Sequence, residues 1–208
     1  MKSQLGKIGY RFGLAAFAAT LSFDVVQTLQ IVGVLKFPFD EILIYGTSLC
    51  ISVPFVLEML AFHHLTHKDR QFWTHASLIF TVLYAAFVIA NYVVQLATVI
   101  PAKISGNLDP IRVLEQTPHS LFWNFDAIGY ICMGLATFLA LPALGKVGFE
   151  RWVRYAFLAN AAMTPFIAFV YFYPTYSIGL LMLGLPWAIT APASMLLLAM
   201  LLKSRSIA

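Results

Sequence analysis

Residues 76–100 read ASLIFTVLYAAFVIANYVVQLATVI, with no Asp, Glu, Lys, Arg or Pro among them. As a helix rising 1.5 Å per residue, this stretch is about 37 Å long, more than the roughly 30 Å hydrocarbon core of a bilayer. Its apolar side chains run consecutively, as in Leu78-Ile79-Phe80 and from Ala85 to Ala90, and do not alternate with polar ones. A strand with one polar face is therefore excluded, and the stretch reads as a transmembrane helix.

The same pattern recurs five times along the chain. The spans run from about 8 to 35, 42 to 62, 72 to 100, 119 to 144, 153 to 173 and 176 to 202. The fold class expected is all-α: one polytopic transmembrane domain over residues 1–208. Composition agrees, since 61% of residues are hydrophobic and 11% charged, against about 45–50% and about 25% in soluble domains. The first apolar run continues to Leu35, which is too long for the core of a cleaved signal peptide.

The connectors carry turn and charge chemistry. Lys36 to Glu41 separates the first two spans, and Pro174-Thr175 the last two. The longest connector, Pro101 to Pro118, contains Asp109-Pro110, which predicts a short helix there. Ten of the 13 Lys and Arg fall at one end of the bundle, leaving Lys36, Lys103 and Arg112 at the other. Positively charged connectors stay cytoplasmic, so both termini are expected inside. Trp123, Tyr171, Tyr173 and Tyr176 are expected at the outer interface and Trp73, Trp152 and Tyr155 at the inner one.

The net charge of +4 does not point to nucleic acid, because the basic residues punctuate apolar runs and do not gather on a polar face. Cys50 and Cys132 lie in apolar stretches without CxxC spacing and read as small buried side chains.

Three carboxylates fall inside spans: Asp24, Glu58 and Asp126. A charge at mid-bilayer costs roughly 2.5–3.5 kcal/mol on insertion scales, so such groups face a bundle interior, a wet cavity or a partner. Helical spacing places Thr20, Asp24 and Gln27 on one stripe, Tyr84, Asn91 and Gln95 on another, and His119, Trp123, Asp126 and Tyr130 on a third. Asn160, Thr164 and Tyr171 make a fourth. All lie at similar depth. The expectation is an outward-facing polar cavity for a small polar or cationic ligand, with Asp24, Gln27, Asn91, Gln95, Trp123, Asp126 and Tyr130 as binding residues. Interhelical hydrogen bonding is the competing role for the same side chains.

Glu58 stands apart, near His63-His64-Leu65-Thr66-His67. A Glu with clustered His can bind metal, so Glu58, His63, His64 and His67 are weak candidates. No HExxH occurs and the chain has only five His, so a solvated turn is the better reading, with Glu58 snorkelling or pairing with a base of that turn. No metal or cofactor is expected. Nucleophile motifs such as GxSxG and the P-loop are missing, which argues against an enzyme. In the sixth span Pro186-Trp187 predicts a kink.

The overall pattern resembles small bacterial inner-membrane proteins. That resemblance implies an integral protein of the inner, or plasma, membrane. The leading functional expectation is a small-solute transporter or permease-like protein, ahead of a sensor or accessory subunit and an intramembrane enzyme.

Overall fold

The computed structural model describes residues 2–206 of the chain. These form helices α1 (Lys2–Ile31), α2 (Phe39–Leu65), α3 (Gln71–Val94), α4 (Ile100–Ile104), α5 (Leu121–Ala140), α6 (Gly148–Ala162), α7 (Thr164–Phe172), α8 (Ile178–Leu181) and α9 (Trp187–Arg205). A π-helical turn, Gln95–Val99, joins α3 to α4 without a break. Six of the resulting rods are long and apolar enough to cross a membrane. The protein is an all-α, multi-pass integral membrane protein.

Span ends differ from the sequence reading in ways with local causes. The first helix stops at Ile31, not Leu35, because Gly33 adopts φ 76° and turns the chain, a conformation glycine takes without penalty. The third continues to Ile104, because the chain passes through the π-helical turn and Pro101 without leaving the helix. The fifth begins earlier, at Gly148, and breaks at Met163 two residues before Pro165. The sixth breaks through Met182–Gly184, and α9 starts at Trp187 directly after Pro186, where the kink was expected. α5 starts at Leu121 with Ser120 as its cap, accepting from Trp123 N–H at 3.2 Å. His119, with φ 67°, therefore lies outside the helix and off the stripe predicted for it.

The rods close into a ring. α1 packs on α2, α2 on α3, α3 on α5, α5 on α6 and α7, α6 on α9, and α9 on α1. In lipid such contacts depend on close backbone approach through small residues. A Cβ at Gly6 or Gly9 on α1 would strike Ser206 or Leu202 of the α9 end, and one at Gly134 on α5 would strike Thr164 of α7. Between the rods lies a core that includes Phe55, Phe62, Tyr84, Met133, Phe157 and Met195, all at most 1% exposed. One end of the ring carries Lys7, Lys68, Arg70, Arg151 and Arg205, and is called the basic end below.

Candidate functional site

At the opposite end the ring is hollow. A cavity of about 320 Å³ is lined by residues from all six rods. α1 contributes Phe23, Asp24, Gln27 and Gln30; α2 Glu41 and Tyr45; α3 Tyr92; α5 Trp123, Asp126 and Tyr130. Ile167, Val170 and Tyr171 come from α7, and Trp187 and Ala188 from α9. The volume is at the lower end of the range typical of small-molecule sites.

The two intramembrane carboxyls of the cavity wall, Asp24 and Asp126, are held differently. Asp126 is 5% exposed. It accepts from Tyr92 Oη at 2.7 Å through one oxygen and from Tyr171 Oη through the other. Tyr92 Oη also lies 3.2 Å from Tyr130 Oη. Three helices thus converge on one carboxylate whose charge is met by phenol donors. Asp24 is half-buried, yet both its oxygens are shielded and have no hydrogen-bond partner among the described residues. Asp24 lines the cavity, and its acceptor capacity is unused by the described residues.

Among the described residues the wall includes Asp24, Glu41 and Asp126 and no Lys, Arg or His, and of the three acids Glu41 is paired with Lys103 outside the wall. Aromatic rings fill much of the remainder, with Trp187 edge-on to Tyr130 at 5.0 Å and to Phe23 at 5.9 Å, and Trp123 against Tyr171 at 4.5 Å. Ring faces and carboxylates both attract cations, and the rings also accept an apolar body. Trp123 and Tyr171 therefore stand in the cavity wall, joined by a bond from Trp123 Nε1 to the Tyr171 carbonyl at 3.3 Å. Tyr176 also lines the cavity, and Tyr173 is exposed.

A strap closes part of the cavity rim. It is the long connector after α4, with a 3₁₀ turn at Asp109–Leu114 where the short helix was predicted. Lys103 ties it down by bridging Glu41 at 2.8 Å and Glu115 at 2.7 Å. Gln95 donates to the Leu114 carbonyl at 2.8 Å and accepts from Gln116 N–H at 3.1 Å. Asn91 donates to Gln116 Oε1 at 2.9 Å. Asn91 and Gln95 are thus buried outside the cavity wall and grip the strap, while Gln116 is what that strap presents to the cavity. Of the seven binding residues expected, Asp24, Gln27, Trp123, Asp126 and Tyr130 line the cavity together.

Sequence reasoning missed Tyr92, Tyr45, Trp187 and Glu41. Tyr92 adjoins Asn91 and so lies about 100° around the helix from the stripe that was followed. Its signal is a phenol at the depth of an intramembrane acid that needs a donor. Tyr84, chosen on that stripe, is 1% exposed and packs against Phe55. Asn160 bonds Thr137 at 3.3 Å and Thr190 at 3.4 Å, so it joins helices and stays out of the cavity.

Around the His cluster, His63 bonds Thr74 Oγ1 at 2.9 Å and His67 lies 3.1 Å from Asp69. Among the described residues no three His, Cys, Asp or Glu converge to hold a metal ion. Glu58 neither snorkels nor pairs: it is 0% exposed and both oxygens lack a partner among the described residues. The cause is packing, since α1 and α9 close over it.

Comparison with known proteins gives no family model that matches the chain, no matching curated protein and no matching solved structure, so its function has to be argued from the chemistry of this cavity.

Proposed function

We propose that this protein binds a small organic cation in the cavity and carries it across the membrane. The supporting observation is Asp24, a carboxylate that, among the described residues, has no hydrogen-bond partner and stands in an aromatic wall without a basic side chain. A protonated amine would donate to Asp24 while its apolar body packs on Trp187, Phe23 and Tyr130. Asp126 would add negative potential from its tyrosine cradle. Neutral polar solutes fit less well, because they would leave the Asp24 charge uncompensated.

The excess of Lys and Arg at the basic end supports placing that end in the cytoplasm, with the cavity facing out, in a plasma membrane. The strap across the rim supports a site that closes over its ligand. At the basic end the rods pack tightly through Gly6, Gly9 and Gly13. That closure favours, as a second reading, a sensor that binds without passage.

The test uses purified protein in proteoliposomes. A protonated arylalkylamine should raise the unfolding temperature and accumulate in the vesicles, while its neutral alcohol isostere and an arylalkyl carboxylate should do neither. Stabilisation without uptake selects the sensor. Equal stabilisation by amine and alcohol removes the case for a cation site.

A further inference from the structure

Glu58 takes no part in the cavity, yet it is the most completely buried acid in the bundle, at 0% exposure. It lies on α2 towards the basic end. Its carboxyl faces Gly13 of α1 and the methyl of Ala199 of α9. A Cβ built on Gly13 would collide with Glu58 Oε1 and would lie 2.6 Å from Ala199 Cβ. Glycine at position 13 is what makes room for the acid.

A buried polar side chain in a membrane protein is ordinarily explained by a hydrogen bond to a neighbouring helix. Glu58 makes none among the described residues, so helix–helix adhesion does not account for it. A metal cation does not account for it either, because hard cations need several oxygen ligands and no cluster of candidate ligands forms here among the described residues. The acid form of the side chain tolerates such surroundings, whereas an ionised carboxylate without a partner does not.

No charged group on the packed helices bonds Glu58 among the described residues. On α9, Arg205 bonds Glu150 of α6 at 2.7 Å and lies over the Phe62 ring, while Lys203 lies over Tyr10. On α1, Lys7 and Arg11 are exposed, and Asp24 lies three turns away in the cavity. On α2 itself, His63 bonds Thr74.

We infer that Glu58 is a proton-binding site that controls the basic end of the bundle. With its proton in place, α1 and α9 close over α2. Loss of the proton leaves an anion that requires water or a cationic partner, and both become reachable only when α1 and α9 part from α2. The seam is built largely from small residues, Gly6, Gly9, Gly13, Ala61, Ala199 and Ser206, with the Leu202 side chain seated on Gly9, so few large side chains have to withdraw when it parts. Arg205 is placed to meet the anion, because it already covers Phe62, one helical turn from Glu58, and its Nη1 has no partner among the described residues. This inference does not depend on what the cavity binds.

The experiment is amide hydrogen exchange on the full-length protein without added ligand, corrected for the intrinsic pH dependence of exchange. Wild-type protection in residues 6–16 and 195–203 should fall by about tenfold or more between about pH 5 and about pH 9. Glu58→Gln and Glu58→Met keep the side-chain volume but cannot ionise, and whichever of them folds should hold the seam closed across that range. A wild-type seam with constant protection overturns the proposal without reference to any variant. So does a folded variant whose seam opens with pH as the wild type's does.

Discussion

Replacing Asp24 and Asp126 by Asn, one at a time, should affect the protein in opposite ways. Asp24 makes no hydrogen bond to the described protein, so Asp24→Asn removes a charge and breaks nothing. Its cost in stability should be below about 1 kcal/mol, and a small gain is consistent with removing a partly desolvated charge. A charge-assisted hydrogen bond contributes about 1.5–3 kcal/mol, so losing the Asp24 contact should weaken amine binding by roughly 10- to 150-fold. Asp126→Asn meets two phenol donors, Tyr92 and Tyr171. Asn offers one oxygen and one NH2 in place of two oxygens, so one phenol loses its acceptor. That costs about 1.5–3 kcal/mol, or roughly 3–12 °C in unfolding temperature at about 2–4 °C per kcal/mol for a chain of this size. The assay is thermal unfolding in detergent together with an amine titration followed by tryptophan fluorescence, since Trp123 and Trp187 line the cavity. If Asp24→Asn lowers the unfolding temperature as much as Asp126→Asn does and leaves amine affinity unchanged, Asp24 is a structural residue and the site reading is wrong.

Other expectations follow from the same geometry. Lys103→Met leaves Glu41 and Glu115 without their shared cation; with side chains 19%, 22% and 18% exposed, the group is partly shielded, and its loss should cost about 1–3 kcal/mol and raise hydrogen exchange in residues 105–118. The ligand off-rate should rise with it, and an unchanged strap would show that Asn91 and Gln95 hold it alone. Gly134→Ala meets Thr164 head-on while Gly179 has open space around it, so the first substitution should cost about 1–3 kcal/mol by overpacking and Gly179→Ala almost nothing, by thermal unfolding. Reporter fusions in the 101–118 connector and in the 66–70 turn should signal opposite sides of the membrane, the second cytoplasmic; same-side signals would refute the six-span threading.

The spans are legible because lipid imposes one rule everywhere: about 20 apolar residues with every backbone group bonded internally. No partner helix is needed to see that residues 76–100 obey it. Their ends are less legible because they depend on single backbone conformations. Gly33 at φ 76° ends α1 four residues before the apolar run does, and Pro101 leaves its helix running. The ring order of the rods is not written locally at all. It arises from pairwise fits such as Gly134 against Thr164 and Gly129 against Val88, in which each residue is unremarkable until its neighbour is known.

The cavity shows the same division at the level of side chains. Depth and helical phase suffice to group Asp24, Gln27, Trp123, Asp126 and Tyr130, because intramembrane acids are confined to the interior by their cost. Phase does not separate lining from bracing. Asn91 and Gln95 share a face and a depth with a binding site, but that face meets the strap, and their amides are spent on Leu114 and Gln116. Nor does phase separate a satisfied acid from a free one. Asp24 and Asp126 are the same residue type at similar depth, and the difference between them is two phenols from α3 and α7 that reach one and not the other. An acid already met by two donors is a poor site for an incoming ammonium, because binding must compete with bonds in place. The unmet acid lacks that competition, so Asp24, the less buried of the two, is the stronger candidate for contact with a ligand, and Asp126 the stronger candidate for holding the wall that surrounds it.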